Sequence, residues 1–181
     1  ITGGSQINQS NMYFVSNKNF SLNCDSFFIG YINGTLDDTT SKLNIQYVKS
    51  DIKYGVPPNA DQPTKRKSET NDARVLDGYI ENNIIHFVGN TVNFENNFAT
   101  FYHGKINNLL TNPSITLDII KDTSLEFGYP SIAFTGNNDS PDEAIILFDH
   151  TSASVPPGVS AIFYKNGQYS DITRVKSGQS Y

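Results

Sequence analysis

Short apolar runs separated by polar turns extend along the whole chain, and one such run occurs three times. Residues 27–34, 84–91 and 145–152 align without gaps, and each apolar run ends in small polar residues. Their starts lie 57 and 61 residues apart. A second aromatic segment follows each run after 15 or 16 residues, at 43–49, 99–105 and 160–165. This recurrence at a nearly fixed offset predicts three copies of one all-β unit.

The apolar pattern predicts strands throughout and almost no helix, because no window of 12 residues keeps a period of 3.6. Asparagine- and glycine-rich turns predict hairpins at 81–83, 137–139 and 166–167. Prolines and a basic cluster interrupt the pattern, so 51–71 is expected to be a long loop or a poorly ordered linker. The predicted strands are 11–15, 27–32, 43–49, 73–80, 84–88, 99–105, 114–120, 131–135, 144–150, 160–165 and 170–175.

The repeated runs are apolar on both faces of the predicted strand. In the second run, Ile84 and Val88 lie on one face and Ile85 and Phe87 on the other. An antiparallel strand with one wet face would alternate with polar residues, so each small sheet is expected to be covered on both sides. A radial stack of four-stranded antiparallel blades, a β-propeller, achieves this. A β-sandwich is the alternative, since it also uses many short strands.

On this interpretation residues 1–181 form part of one β-propeller domain with about three blades. The approximate blades are 11–50, 72–120 and 127–178. Three blades cannot close a ring, which would leave two apolar faces open. We therefore expect the remaining blades to come from further sequence or from another chain, and the chain to be part of a larger propeller.

Composition and charge narrow the classes of molecule that the protein is expected to bind. The net charge of −5 and the isoelectric point near 5.0 do not favour nucleic acid. No apolar run approaches the roughly 20 residues that span a bilayer. The single cysteine, Cys24, excludes an internal disulfide. Mean hydropathy is −0.39 and 21 residues are Asn, a composition typical of strands joined by polar turns.

Three segments near the C-terminus carry a resemblance to a known family. Residues 129–134 (YPSIAF), 143–148 (EAIILF) and 157–164 (PGVSAIFY) resemble one blade of secreted or cell-surface bacterial β-propellers with a sialidase-like fold. Residues 73–79 with 84–91 look like the preceding blade. The resemblance covers residues 72–178 and implies an extracellular or cell-surface location.

The residues that sialidase chemistry requires are not evident. That chemistry uses three arginines to hold a carboxylate, whereas Arg66, Arg74 and Arg174 are the only arginines and fall in unrelated segments. The Trp that ends the sialidase Asp-box has no counterpart, since the chain has no Trp. We expect a non-catalytic chain; a fragment of a glycoside hydrolase with two carboxylates is kept as an alternative.

The sequence offers candidate residues for two kinds of metal site. His86 aligns with Ile29 and Leu147, which predicts a buried core position, and His103 and His150 show no zinc-ligand spacing. Residues 137–143 are rich in the oxygen ligands that calcium prefers. No other cofactor is expected. The candidate calcium ligands are Asn137, Asn138, Asp139, Asp142 and Glu143.

The sequence favours binding or display of a glycan or protein ligand within a larger secreted or surface protein. Tyr and Asn side chains at strand ends offer stacking surfaces and hydrogen bonds. A structural role, in which the chain supplies blades to a complex, is the second interpretation. The candidate ligand-binding residues lie at the same end of equivalent strands: Tyr31, Asn33, Asn90, Asp149 and His150.

Overall fold

Twelve β-strands and no helix are present in the computed structural model, which describes residues 11–34, 39–109, 111–137, 139–140 and 142–179. The strands are β1 (Asn11–Asn17), β2 (Cys24–Asn33), β3 (Lys42–Tyr54), β4 (Val75–Glu81), β5 (Ile84–Asn93), β6 (Phe98–Asn107), β7 (Ser114–Ile120), β8 (Glu126–Phe134), β9 (Glu143–Ser152), β10 (Val155–Lys165), β11 (Gln168–Tyr169) and β12 (Thr173–Lys176).

The strands form three antiparallel sheets in chain order. The first sheet has the order β1-β2-β3, the middle sheet β4-β5-β6-β7, and the third β8-β9-β10, with β11 and β12 both pairing with β10. The all-β, antiparallel prediction is confirmed. The prediction of four strands in every sheet is wrong, since among the described residues the first sheet has three strands and the third has five.

The three repeated runs occupy equivalent places. They fall in β2, β5 and β9, which are the second strands of their sheets, and the following aromatic segments fall in β3, β6 and β10. Each pair is joined by an antiparallel ladder. The recurrence in the sequence therefore reflects a recurring pair of neighbouring strands.

The segment predicted as a loop at 51–71 begins later and is well anchored. β3 continues to Tyr54, because the buried Tyr54 ring packs 4.8 Å from the ring of Phe27. The loop from 55 to 74 is tied down, which is the opposite of a free linker. The backbone N–H of Asp61 donates to Glu126 Oε1 at 2.6 Å, and Thr70 Oγ1 donates to the Pro58 carbonyl at 2.6 Å.

Two hydrophobic cores lie on opposite faces of the middle sheet. In the first core, Phe27 of the first sheet packs 5.2 Å from Phe87 of the middle sheet. In the second core, Phe101 of the middle sheet packs 4.7 Å from Phe148 of the third. The middle sheet is thus covered on both faces, as the apolar pattern of β5 predicts.

Successive sheets also turn the same repeat positions toward the next sheet along the chain. We describe this as stacking in the same sense. Ile29, His86 and Leu147 occupy one repeat position, and the first two face the next sheet along the chain. One residue later, Phe87 and Phe148 face the preceding sheet. Because side chains alternate along a strand, the Gly30 position lies on the outer face of the first sheet, and the Leu147 side chain lies on the outer face of the third sheet.

Both ends of the stack expose apolar side chains. The outer face of the first sheet, here called the rear face, consists of Met12, Phe14, Phe28, Gly30, Ile32, Leu43, Ile45 and Tyr47. The outer face of the third sheet, here called the forward face, consists of Ser131, Ala133, Ile145, Leu147, Asp149, Val159, Ala161 and Phe163. Ile45 is 67% exposed and Leu147 is 43% exposed.

Part of the abundant asparagine serves turn geometry. Among the described residues, seven other than glycine have a positive φ, and six of these are Asn. Asn tolerates the left-handed region because its short amide can bond to the local backbone. They are Asn71, Asn82, Asn83, Asn97, Asn108 and Asn166.

We expect Gly104→Ala to destabilise the fold, whereas Gly128→Ala should be nearly neutral. A Cβ built on Gly104 would overlap the ring of Phe87, and Phe87 is fully buried in the first core. A Cβ on Gly128 would meet only Thr70 Cγ2, at an ordinary 3.8 Å. Overpacking of this kind costs about 1–3 kcal/mol. Urea unfolding monitored by tyrosine fluorescence measures both, and equal stabilities would contradict this packing.

Candidate functional site

A cluster of polar side chains lies between the middle and third sheets, beside the second core. We call it the polar seam. The middle sheet contributes side chains from β4 to β7, and the third sheet contributes residues near the start of β9 and from β10 and β11. Its members are Tyr79, His86, His103, Lys105, Asp118, Asp142, Tyr164 and Tyr169.

One half of the polar seam is a chain of hydrogen-bonded rings. His86 Nδ1 lies 3.1 Å from His103 Nε2, and His103 Nδ1 lies 2.7 Å from the hydroxyl of Tyr169. The Tyr169 hydroxyl is in turn 2.9 Å from Asp118 Oδ2. Both histidines are buried and Asp118 is exposed, so the chain runs from the interior to the surface.

The other half of the polar seam is a half-buried ion pair. Lys105 Nζ donates to Asp142 Oδ2 at 2.9 Å and to the Tyr164 hydroxyl at 3.2 Å. His86 Nε2 lies 3.3 Å from Asp142 Oδ1, but neither atom has a hydrogen bond of good geometry. The Tyr79 ring stacks on His86 at 4.8 Å. Asp142 therefore joins the lysine to the histidine pair.

Proton counting shows that the ring chain is one proton short. The row of side chains from Asp142 through His86, His103 and Tyr169 to Asp118 makes four contacts, and a hydrogen bond at each contact needs one proton. Two neutral histidines and one tyrosine supply three protons. One extra proton on the histidine pair would allow a hydrogen bond at every contact, but burial opposes the positive charge that this proton would bring.

Burial decides the protonation state of the pair. It lowers the pKa of His86, and it lowers the pKa of His103 well below the usual value, with the charge of Lys105 acting in the same direction. Contact with His86 and with the Lys105 ammonium holds the pKa of Asp142 well below its usual range. At neutral pH the polar seam therefore contains two neutral histidines beside a Lys105–Asp142 ion pair.

An apolar groove opens where the ring chain meets the surface. It has a volume of about 580 Å³, and Tyr169 and Asp118 lie on its wall. The remaining wall is mainly isoleucine: Ile52, Ile119, Ile120, Ile162 and Ile172.

Three candidates for ligand binding are at least partly exposed and occupy separate positions. Asn33 is exposed at the end of β2, where its Oδ1 accepts a hydrogen bond from the Lys42 backbone N–H at 3.0 Å. Tyr31 is half-buried against the first core, with its ring 5.9 Å from that of Tyr13. Asp149 is exposed on the forward face. No contact joins these three in the part of the chain that the structure describes.

The other two candidates are buried and hydrogen-bonded within the protein. Asn90 donates to the Thr70 carbonyl at 2.5 Å and accepts from the Tyr129 backbone N–H at 2.8 Å. It thereby ties the middle sheet to the 55–74 loop and to β8. His150 Nδ1 lies 2.8 Å from the Ser160 hydroxyl, and both side chains are buried. Neither Asn90 nor His150 presents a polar atom to solvent.

Two carboxylates of the candidate calcium loop, those of Asp142 and Glu143, are already paired. Glu143 contacts Lys165 at 2.6 Å and accepts from Asn137 at 3.3 Å, while Asp142 belongs to the polar seam. Asp139 donates its backbone N–H to Asn137 Oδ1 at 3.1 Å. Asn138 lies outside the described residues. Three or more metal-ligating side chains do not cluster anywhere in the described ranges, and calcium binding stays a prediction.

Comparisons with protein-family models, with curated proteins and with solved structures gave no match to this chain. Within the described residues, no helix is long and apolar enough to cross a membrane.

The pairing of His86 with His103 was not predicted from the sequence. Their spacing of 17 residues has no zinc-like period, but the β5–β6 register brings them onto one face, since His86 pairs with Lys105 and Val88 with His103. Aligning the two strands about their turn at 94–97 would have revealed this diagonal contact.

We expect His86 and His103 to titrate below pH 6.5. Burial lowers both pKa values, so near and below pH 6.5 the unfolded chain binds more protons than the folded chain, and the free energy of unfolding falls as the pH falls. Proton NMR of the histidine ring signals from pH 8 to pH 4 measures the titration. A pKa above 6.5 for either residue would mean that the missing hydrogen bond outweighs burial.

We expect Asn90→Ala to cost about 1–3 kcal/mol, because it leaves the Thr70 carbonyl and the Tyr129 N–H without their partner in a buried site. Asn33→Ala, at the equivalent but exposed repeat position, should change stability by less than about 0.5 kcal/mol. Urea unfolding checks both. Similar costs for the two variants would disagree with a structural role confined to Asn90.

Proposed function

We propose that this chain is a segment of an extracellular β-propeller that binds or displays a glycan or protein ligand without catalysing a reaction. Each of its three sheets corresponds to one blade. The extracellular location and the family rest on the resemblance of residues 72–178 alone.

One observation carries the proposal: the three sheets stack in the same sense. Equivalent residues Ile29 and His86 each face the next sheet along the chain, and Phe87 and Phe148 each face the preceding one. A β-sandwich has two sheets whose inner faces oppose each other, so its repeats would alternate in sense. Same-sense stacking of meander sheets supports the radial arrangement of a propeller.

A ligand would bind along the sheet edges at which the strands β2 and β5 finish, and not on the rear or forward face. Asn33 ends β2, and the aromatic ring of Phe94, 51% exposed, follows the end of β5. An amide and an exposed ring are the groups that hydrogen-bond to a sugar and stack on it. Loops on a rigid sheet framework are the usual place for binding residues.

The state of the Asp142 and Glu143 carboxylates supports a non-catalytic role. A glycosidase needs one carboxyl group as acid and a second as base or nucleophile. Asp142 and Glu143, which lie at the start of β9, are held by Lys105 at 2.9 Å and by Lys165 at 2.6 Å. A lysine partner keeps a carboxylate ionised and unable to donate a proton.

A role in assembly is the second candidate. Here the chain supplies blades to a complex, and the apolar rear and forward faces favour it.

We expect the protein to bind glycans immobilised on an array, and Phe94→Ala and Asn33→Ala each to weaken the best binder about tenfold or more. Truncating one central contact of a small interface commonly has an effect of this size. Biolayer interferometry measures the dissociation constants. Phe20→Ala is the matched control, since Phe20 is 77% exposed in the turn at the other end of β2.

An array without binders would contradict glycan binding. Equal losses for Phe94→Ala and Phe20→Ala would contradict the proposed location of the binding site. Release of nitrophenol from nitrophenyl glycosides would contradict the non-catalytic assignment.

A further inference from the structure

We propose that an exposed hairpin between β3 and β4 binds the anionic groups of an acidic glycan, either carboxylates or sulfate esters. The hairpin, here called the basic hairpin, consists of residues 60–68. The inference rests on the glycan binding proposed above and adds the chemical class of the ligand.

The basic hairpin concentrates positive charge in an acidic protein. Lys65, Arg66 and Lys67 are consecutive, and all three are exposed. No other two cationic residues are adjacent in the sequence, which has 13 Lys and Arg against 18 Asp and Glu. The positive charge is therefore a local feature of this hairpin, and it attracts an anionic group to one place on the surface.

The base of the basic hairpin is fixed to the sheets. The backbones of Ala60 and Ser68 exchange two hydrogen bonds, of 2.9 and 2.8 Å, which close the hairpin. The Asp61 N–H donates to buried Glu126, and the Asp61 carbonyl accepts from Thr151 Oγ1 at 2.9 Å. An anchored loop loses little conformational entropy when a ligand binds, which favours affinity.

The tip of the basic hairpin presents two cations without an acidic partner. Lys67 Nζ lies 2.8 Å from Asp61 Oδ1 and is paired. Lys65 and Arg66 make no ion pair with any residue that the structure describes. The Arg66 carbonyl accepts from Thr64 Oγ1 at 3.2 Å, which holds the backbone under the guanidinium. A planar guanidinium donates two parallel hydrogen bonds to a carboxylate or a sulfate, so Arg66 is the expected centre of the site.

A cavity of about 600 Å³ lies beside these cations, between the basic hairpin and Pro157 of β10. Its volume is within the range of small-ligand sites. Hydroxyl and amide groups on its wall offer hydrogen bonds to the hydroxyl groups of a sugar, which an aliphatic acid lacks. One carboxylate, that of exposed Glu69, also lies on the wall and opposes an anion. The polar residues of the wall are Gln62, Thr64, Arg66, Lys67, Ser68 and Glu69.

The basic hairpin lies at the same edge of the sheets as Phe94. Its anchor Thr151 is near the end of β9. The loop that leads to the hairpin begins at Gly55, whose N–H donates to Thr91 Oγ1 at 3.0 Å near the end of β5. Phe94 directly follows β5. The cations of the hairpin and the exposed ring of Phe94 therefore serve one binding edge, at which charge adds to stacking.

A glycan fits these charges better than a nucleic acid does. A nucleic acid carries a phosphate at every nucleotide, and proteins that bind it neutralise several phosphates along a broad basic surface. The excess of acidic residues in the rest of the chain repels phosphates beyond the hairpin. An oligosaccharide with an anionic group on some of its sugars needs only the local positive charge.

Isothermal titration calorimetry with three defined tetrasaccharides tests the ligand class. They are neutral neoagarotetraose, sulfated neocarratetraose, and tetragalacturonate, which carries carboxylates. We expect at least one of the two anionic sugars to bind at least about tenfold more tightly than the neutral one, and the difference to shrink at about 0.5 M salt, which screens surface charges. The tighter of the two anionic sugars identifies the preferred group as sulfate or carboxylate.

Charge-removing variants locate the site. Arg66→Gln and Lys65→Gln should each weaken binding of the anionic tetrasaccharide by about three- to tenfold and leave the neutral one unchanged, since each removes a charge-assisted hydrogen bond. Glu69→Gln should strengthen it about threefold, because it removes repulsion on the same wall. Lys49→Gln is the matched control, since Lys49 is exposed on β3, outside the basic hairpin. Urea unfolding checks that every variant folds.

Equal affinity for the neutral and anionic sugars, or no effect of Arg66→Gln and Lys65→Gln, would overturn the anionic site and leave the proposed glycan binding standing. Single-stranded DNA that bound more tightly than both anionic sugars, through the same two cations, would also overturn it. A preference for anionic sugars that Phe94→Ala left unchanged would support the basic hairpin and contradict the binding residues proposed above. Absence of binding to all three sugars would overturn this inference, and the glycan array then decides the proposed function separately.

Discussion

Burial of the middle sheet on both faces is the constraint on which the rest of the fold depends. β5 is buried along nearly its whole length, so its apolar side chains need a sheet on either side. Alone in water, the middle sheet would expose the apolar side chains of both faces to solvent, which is unfavourable. The first sheet supplies Phe27 and the third supplies Phe148, and each contact is aromatic. Stability is therefore a property of the stack and not of any one repeat.

The two interfaces that cover the middle sheet differ in chemistry. The first is an aromatic cluster, whereas the second adds the polar seam beside its apolar core. A half-buried ion pair such as Lys105–Asp142 gains little net stability, since desolvation offsets the attraction. Its geometry is nevertheless demanding, because a shifted third sheet would leave His103 and Tyr169 without each other. We infer that apolar burial provides the energy of this contact and the seam fixes its alignment.

The repeat and the strand positions could be predicted because they depend on a period of two and on turn residues that act locally. Contacts between distant segments could not. Glu126 accepts from the Asp61 backbone across 65 residues, which anchors the segment that the sequence predicted to be a long loop or a poorly ordered linker. The number of strands per sheet was also missed, since β11 has two residues and no apolar pattern. Of the candidate ligand residues, Asn90 shares its repeat position with exposed Asn33, and only the packing of Thr70 and Tyr129 separates their roles.

A tandem of β units that all face the same way leaves one sheet face uncovered at each end. Each sheet covers the rear of the next, so the first rear face and the last forward face have no counterpart within the stack. A stack that ended in water would gain from polar residues at those two places, as the wet face of an antiparallel sheet usually has. Here Ile45 and Leu147 occupy them instead. Exposed aliphatic residues on flat sheet faces invite association, and natural β-proteins normally avoid them. Their presence at both ends is most simply explained if the two ends belong to interfaces of the same kind as the two inside.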